Sequence, residues 1–321
     1  MDEYDSPWKE AIEHYFTEFM AFYFPDAFAQ IDWSKEHVFL DQELRAITRD
    51  AELGKRFVDK LVRVTRLNGD EEWIYLHIEV QGTRQAEFAR RMFVYNYRIF
   101  DLYNQPVASM AVLADEDAGW RPDYFCYSIL GCETSIRFPV AKLTDYHDRL
   151  NELQASENSF AIITATHILT QRTRHNDDAR YQAKQLLVRI LYQRHWSKQR
   201  VIDLFKIIDW MLILPEELEQ KLWHEIENIE EHQKMQYVTS IERMAIAKGR
   251  EEGREAGKEE GVLEGERKTL LRMLQRRFNS VPDWAVEKIL NGTAADLEHW
   301  LDNVLDATGI ESVFTEQTAS H

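Results

Sequence analysis

The chain has 321 residues, of which 44% are hydrophobic and 30% charged, and its net charge is −17. That length accommodates two domains with a substantial core in at least one. The acidity excludes nucleic-acid binding through bulk charge, so such a role needs a local basic surface and a metal ion to offset carboxylates.

The first segment, "MDEYDSPWKE", is acidic and does not read as a signal peptide. No run approaches 18 apolar residues, so no membrane span is expected. Residues 1–35 are aromatic-rich and helical in pattern, with Pro25 expected to end the helix. A second helix is expected from Asp41 to Asp50, with Asp41 as its N-cap.

The pattern then changes. "FVDKLVRVTRL" and "EEWIYLHIEVQ" alternate with period two around "NGD", which predicts a hairpin. Only an even pairing sum puts Val62 and Val64 on one face with Ile74, Leu76 and Ile78. A three-residue turn, Asn68 to Asp70, then sets Asp59 opposite Glu79, with Gln81, His77, Leu61 and Arg63 on the same face. Like charges directly opposite are destabilising unless compensated. Arg63, Arg91 or a divalent metal would compensate. An Asp, a Glu, the Val80 carbonyl and waters form an oxygen-rich set suited to Mg²⁺ or Mn²⁺. A structural ion pair is the competing explanation.

Downstream, a helix is expected over 84–104, a strand over "PVASMAVLAD", and strand-like pieces at 124–130 and 134–139. Arg84, Glu87, Arg91 and Arg98 are spaced as one helical face, with Phe88, Met92 and Ile99 on another. From 141 to 245 the pattern is almost entirely helical. Residues 171–200 hold eight Lys or Arg against two Asp, and Arg180 and Lys184 there could line a phosphate channel. A solvated helix face and an i,i+4 Glu87–Arg91 pair are the plainer alternatives. Asn176-Asp177-Asp178 reads as an N-cap cluster.

Residues 249–265 carry Gly at every fourth position among three basic and six acidic residues, a weak helix or linker. Beyond it, Pro282 and Asn291-Gly292 punctuate three short helices. The expected division is 1–145 for an α/β core with N-terminal helices and 146–245 for a helical extension. A linker over 246–265 and a small helical domain over 266–321 complete it.

"VDKLVRV", "IYLHIEVQG" and "EFARRMFVYNYRIFDLYNQPVASMAVLAD" together resemble the Rpn family of recombination-promoting nucleases and transposase-like proteins. "FLDQELRAI", "GWRPD" and "RFPVAKLTDY" are in the same style, and the C-terminal segment resembles a domain of unknown function often appended there. That family lies in the PD-(D/E)XK nuclease superfamily. The resemblance implies a restriction-endonuclease-like α/β core with a mixed sheet flanked by helices. It implies a metal-dependent DNA endonuclease acting in recombination or transposon mobility. Asp59 matches the motif Asp, Glu79 its acidic partner, and Glu43 the helix carboxylate. Gln81 stands where Lys is usual, and Val58 stands where Pro precedes the Asp. The implied catalytic set is Asp59, Glu79, Gln81 and Glu43. Asp59, Glu79 and the Val80 carbonyl would ligate Mg²⁺ or Mn²⁺, and Gln81 would orient water. Arg91, Arg98, Arg84, His77, Arg180 and Lys184 are the candidates for phosphate contact. DNA is the expected partner, with self-association through the helical C-terminal region. The alternative is a catalytically weak nuclease fold that binds nucleic acid or protein.

Overall fold

The computed structural model describes residues 7–40, 58–67, 73–233, 263, 265–307 and 309–314. It divides into two compact units, one up to Arg243 and one from Met244. The first unit starts with three helices, α1 (Pro7–His14), α2 (Phe16–Tyr23) and α3 (Pro25–Phe28). Pro25 ends α2 as expected, and it also opens α3 at a first-turn position, where its missing N–H goes unneeded.

Five strands form a mixed sheet in the order β1-β2-β3-β4-β7. They are β1 (Val38–Phe39), β2 (Val58–Thr65), β3 (Trp73–Gln81), β4 (Val107–Leu113) and β7 (Val140–Lys142). The β2–β3 pair is antiparallel in the expected register, Val62 against Leu76 and Asp59 against Glu79. β3–β4 and β4–β7 are parallel. The crossover between β3 and β4 is helix α4 (Phe88–Tyr103), which closes on Asn104 in the left-handed region at φ 48°. It begins four residues later than the sequence pattern suggested, so Arg84 lies outside it.

β3 is buried on both faces because it is a central strand with helices on either side. On one face Val62, Val64, Leu76, Ile78 and Val80 are buried, and Lys60 reaches Glu13 of α1. On the other, α4 lays Phe88 and Met92 on Ala111 and Leu113, and Ile99 on Leu61 and Tyr75.

β5 (Tyr124–Ile129) and β6 (Cys132–Arg137) form a separate two-stranded hairpin. Its tip turns through Leu130 and Gly131, both at positive φ. Cys126 and Cys132 are reduced, but both are exposed. From sequence, two cysteines separated by five residues with no second pair read as reduced core thiols; they are exposed instead because this hairpin stands outside the main sheet, and most of its side chains face solvent.

After a 3-10 run over Leu143–Arg149 come α5 (Leu150–Ala155), α6 (Ser159–Arg172), α7 (Asp177–Gln193), α8 (Lys198–Met211) and α9 (Glu216–Gln233). Asn176 caps α7 by accepting from the Ala179 amide at 2.9 Å, the role read from its sequence. These helices belong to the same compact unit as the sheet. Tyr23 and Thr164 hydroxyls meet at 2.7 Å, Arg200 pairs with Glu18 at 2.9 Å, and the Tyr15 hydroxyl donates to Asp203 at 2.9 Å. No described helix is long and apolar enough to cross a membrane.

The second unit comprises α10 (265–278), α11 (Asp283–Asn291), α12 (Ala294–Asp306) and α13 (Ile310–Val313). Its core gathers Leu270, Leu274, Ile289, Leu297, Trp300 and Phe314. Pro282 and Gly292 separate the helices as their sequence punctuation requires. The expected 41–50 helix and most of the glycine-rich run lie outside the described residues.

Candidate active site

The site is built on the carboxyl-terminal half of β3, where Glu79 and Gln81 follow one another on one face with period two. The ladder sets Asp59 of β2 directly opposite Glu79, and Ala111 of β4 flanks it on the other side. The position of Asp59 on the ladder is defined; its side chain, and Glu43 altogether, lie outside the described residues.

Glu79 and Gln81 are each 1% exposed, beneath α4. The cation that meets them is Arg91. Its Nη2 donates to Glu79 Oε2 at 3.0 Å and to Gln81 Oε1 at 2.5 Å, while Nη1 donates to Gln85 Oε1. The guanidinium also lies 5.1 Å from the Phe88 ring centre. Gln81 is fixed at its other end by donating to the Thr83 carbonyl at 2.7 Å. Of the two cationic side chains open to Glu79 from sequence, Arg91 makes the pair; Arg63 instead stacks over Trp73 at 3.7 Å.

His77 is wholly buried, one pleat before Glu79. Its Nδ1 lies 3.2 Å from Ser109 Oγ, which also accepts from Asn96 Nδ2 at 3.1 Å. Its Nε2 is 3.6 Å from Glu79 Oε1, beyond hydrogen-bond reach. The Tyr95 ring meets the imidazole edge-on with centres 5.4 Å apart. Ser109, Asn96, Tyr95 and Gln85 were absent from the sequence-derived site. From sequence Arg91 reads as a phosphate contact on a basic helix face or as a partner of Glu79, and the structure pairs it with Glu79. The spacing carries a signal for that. Phe88, Met92, Tyr95 and Ile99 define the buried stripe of α4, and position 91 falls at its edge, one turn before Tyr95.

The other candidate cations are dispersed. Arg84 is exposed in the turn before α4 and pairs with Asp117 at 3.1 Å. Arg98 is half-buried on α4. Arg180 is half-buried on α7 and reaches the Ile213 carbonyl at 3.4 Å. Lys184 was expected to line a channel for phosphate, and this is corrected. It is fully buried, its ammonium held by Asp209 at 2.6 Å and Glu219 at 3.1 Å, so no charge is left for an external anion.

On the opposite face of the sheet a cavity of about 270 Å³ opens between Trp8, Val80, Ala114, His167, Trp210 and Met211. His167 Nε2 sits 2.9 Å from the Ala114 carbonyl oxygen. Burial holds its pKa below the ordinary histidine value.

Among the described residues no three His, Cys, Asp or Glu side chains gather as a metal cluster. Glu79 is a hard oxygen donor with Oε2 held by Arg91, and an aspartate at the ladder position of Asp59 is of the same donor type. That donor chemistry fits one hard divalent cation. In comparisons with protein-family models, curated proteins and solved structures, none matched this chain.

Proposed function

We propose that the first unit is a metal-dependent deoxyribonuclease of the Rpn type, hydrolysing phosphodiester bonds in recombination or transposon mobility. The observation that carries this is the guanidinium of Arg91 bridging Glu79 and Gln81. It brings to the rung the positive charge that Gln81 lacks, from the neighbouring helix instead of the strand. The Asp59–Glu79 rung and the mixed sheet agree with the implied restriction-endonuclease-like core.

Asp59, Glu79 and the Val80 carbonyl would hold Mg²⁺ or Mn²⁺. The bound ion supplies an acidified water and stabilises charge on a phosphate. Arg91 orients the Glu79 carboxylate through Oε2 and leaves Oε1 on the His77 side. Gln81, held between Arg91 and Thr83, is a positioned amide that can hydrogen-bond water. Ser109 and Asn96 fix the imidazole of His77 beside the carboxylate.

One observation favours the second reading, an inactive nuclease fold that binds nucleic acid or protein. Glu79 is almost wholly buried and already charge-paired, as in a structural network. Nicking of supercoiled plasmid with Mg²⁺, Mn²⁺ or EDTA separates the two, using wild type, Glu79→Gln and Asp59→Asn. Metal-dependent nicking lost in both variants supports the nuclease. A folded wild type that never nicks supports the inactive module.

A further inference from the structure

Helix α10 has the sequence "GERKTLLRMLQRRF", with five Lys or Arg against one Glu, in a chain whose net charge is −17. Two of the five cations complete the fold of the second unit. Arg267 donates to the Gly292 carbonyl at 3.2 Å and Arg277 to the Ala307 carbonyl at 2.8 Å, both late carbonyls of neighbouring helices. The other three, Lys268, Arg272 and Arg276, are exposed and recur every four residues. They form one stripe about 12 Å long at 1.5 Å rise per residue.

Leu270 and Leu274 turn the other side of α10 into the core. Beside Arg272 and Arg276 on this face, Gln275 and Asn279 are exposed and uncharged. Arg272 and Arg276 form no ion pair or hydrogen bond among the described residues. Like charges four apart on a helix repel, so the Arg272–Arg276 pair is unfavourable alone and is relieved by a polyanion.

We propose that this stripe is a nucleic-acid contact surface that grips the phosphate backbone without reading sequence. A stripe of this length passes about three phosphates of one strand at 3.4 Å rise each. Guanidinium forks suit phosphate oxygens. The face carries no apolar anchor of the kind that centres a protein interface, and a phosphate backbone needs none. This surface shares no residue with the Glu79 site, so the proposal holds whether or not the chain cleaves.

The test is fluorescence anisotropy of a labelled DNA duplex with the full chain, in EDTA, across a salt series. Wild type is compared with the triple variant Lys268→Gln/Arg272→Gln/Arg276→Gln and with the single variant Arg272→Gln. Circular dichroism checks that each is folded. The triple variant should bind at least tenfold more weakly at low salt. Its plot of log K against log salt should be shallower by about 2 to 3, near 0.9 per lost phosphate contact. The single variant Arg272→Gln should lower the slope by about 1. Equal affinity and slope in wild type and triple variant would overturn the proposal. So would a wild type that ignores DNA but self-associates by light scattering through the same three residues, which would assign the stripe to an acidic surface of a second copy.

Discussion

Replacing Arg91 with Met tests the centre of the first unit most directly. The side chain keeps its length and apolar stem, so α4 still packs through Phe88, Met92 and Ile99. What goes is the guanidinium and its three hydrogen bonds to Glu79, Gln81 and Gln85. Gln85 is half-buried and regains water, so its loss is small. Glu79 and Gln81 cannot, being 1% exposed. Leaving a buried charge without its partner costs about 3–5 kcal/mol, a large share of a stability that for such units is about 5–15 kcal/mol. The midpoint of thermal unfolding should therefore drop by about 10 °C. The double variant Arg91→Met/Glu79→Gln removes the orphaned charge and should recover about 2 kcal/mol relative to the sum of the single changes. Calorimetry and urea titration of the four proteins read this directly. Strictly additive effects, or a loss under about 1 kcal/mol for Arg91→Met, would refute the buried clamp and reopen Arg91 as a surface phosphate contact.

Three further outcomes are expected. Lys184→Met strands Asp209 and Glu219 together and should destabilise the first unit by about 3–5 kcal/mol in urea titration. His167 is half-buried in the cavity wall, and desolvation there holds its pKa below the ordinary 6.5. Its contribution is therefore complete above that value and is lost as pH falls through the folded pKa, at up to about 1.4 kcal/mol per pH unit. His167→Gln should accordingly flatten the fall in stability from about pH 7 to 5. Thr293 and Asp296 form a reciprocal capping box at the start of α12, so Thr293→Ala should cost about 1 kcal/mol, read as a lower unfolding midpoint of the second unit.

The hairpin register was legible without any structure, because only one pairing keeps Val62, Val64, Leu76 and Ile78 on a common buried face. That register alone places Asp59 opposite Glu79. The punctuation by Pro282 and Gly292 likewise gave the helices of the second unit, since local backbone chemistry dictates where a helix stops. Period and punctuation are local, and one strand or helix carries them in full.

What covers each face is not local. Strand alternation made Glu79, Gln81 and His77 read as the open side of a half-buried hairpin, whereas β4 and α4 close over them. Lys184 reads as a surface charge because long cations usually are, and the spacing of Arg91 leaves it open between a surface phosphate contact and a partner of Glu79. Each is buried because acids distant in sequence, Asp209 and Glu219 for one and Glu79 for the other, arrive to neutralise it. The cysteines went the other way, exposed because their hairpin found no place in the main sheet. The desolvation of a charge depends on every element packed around it, so its partner is fixed only when the chain has closed on itself.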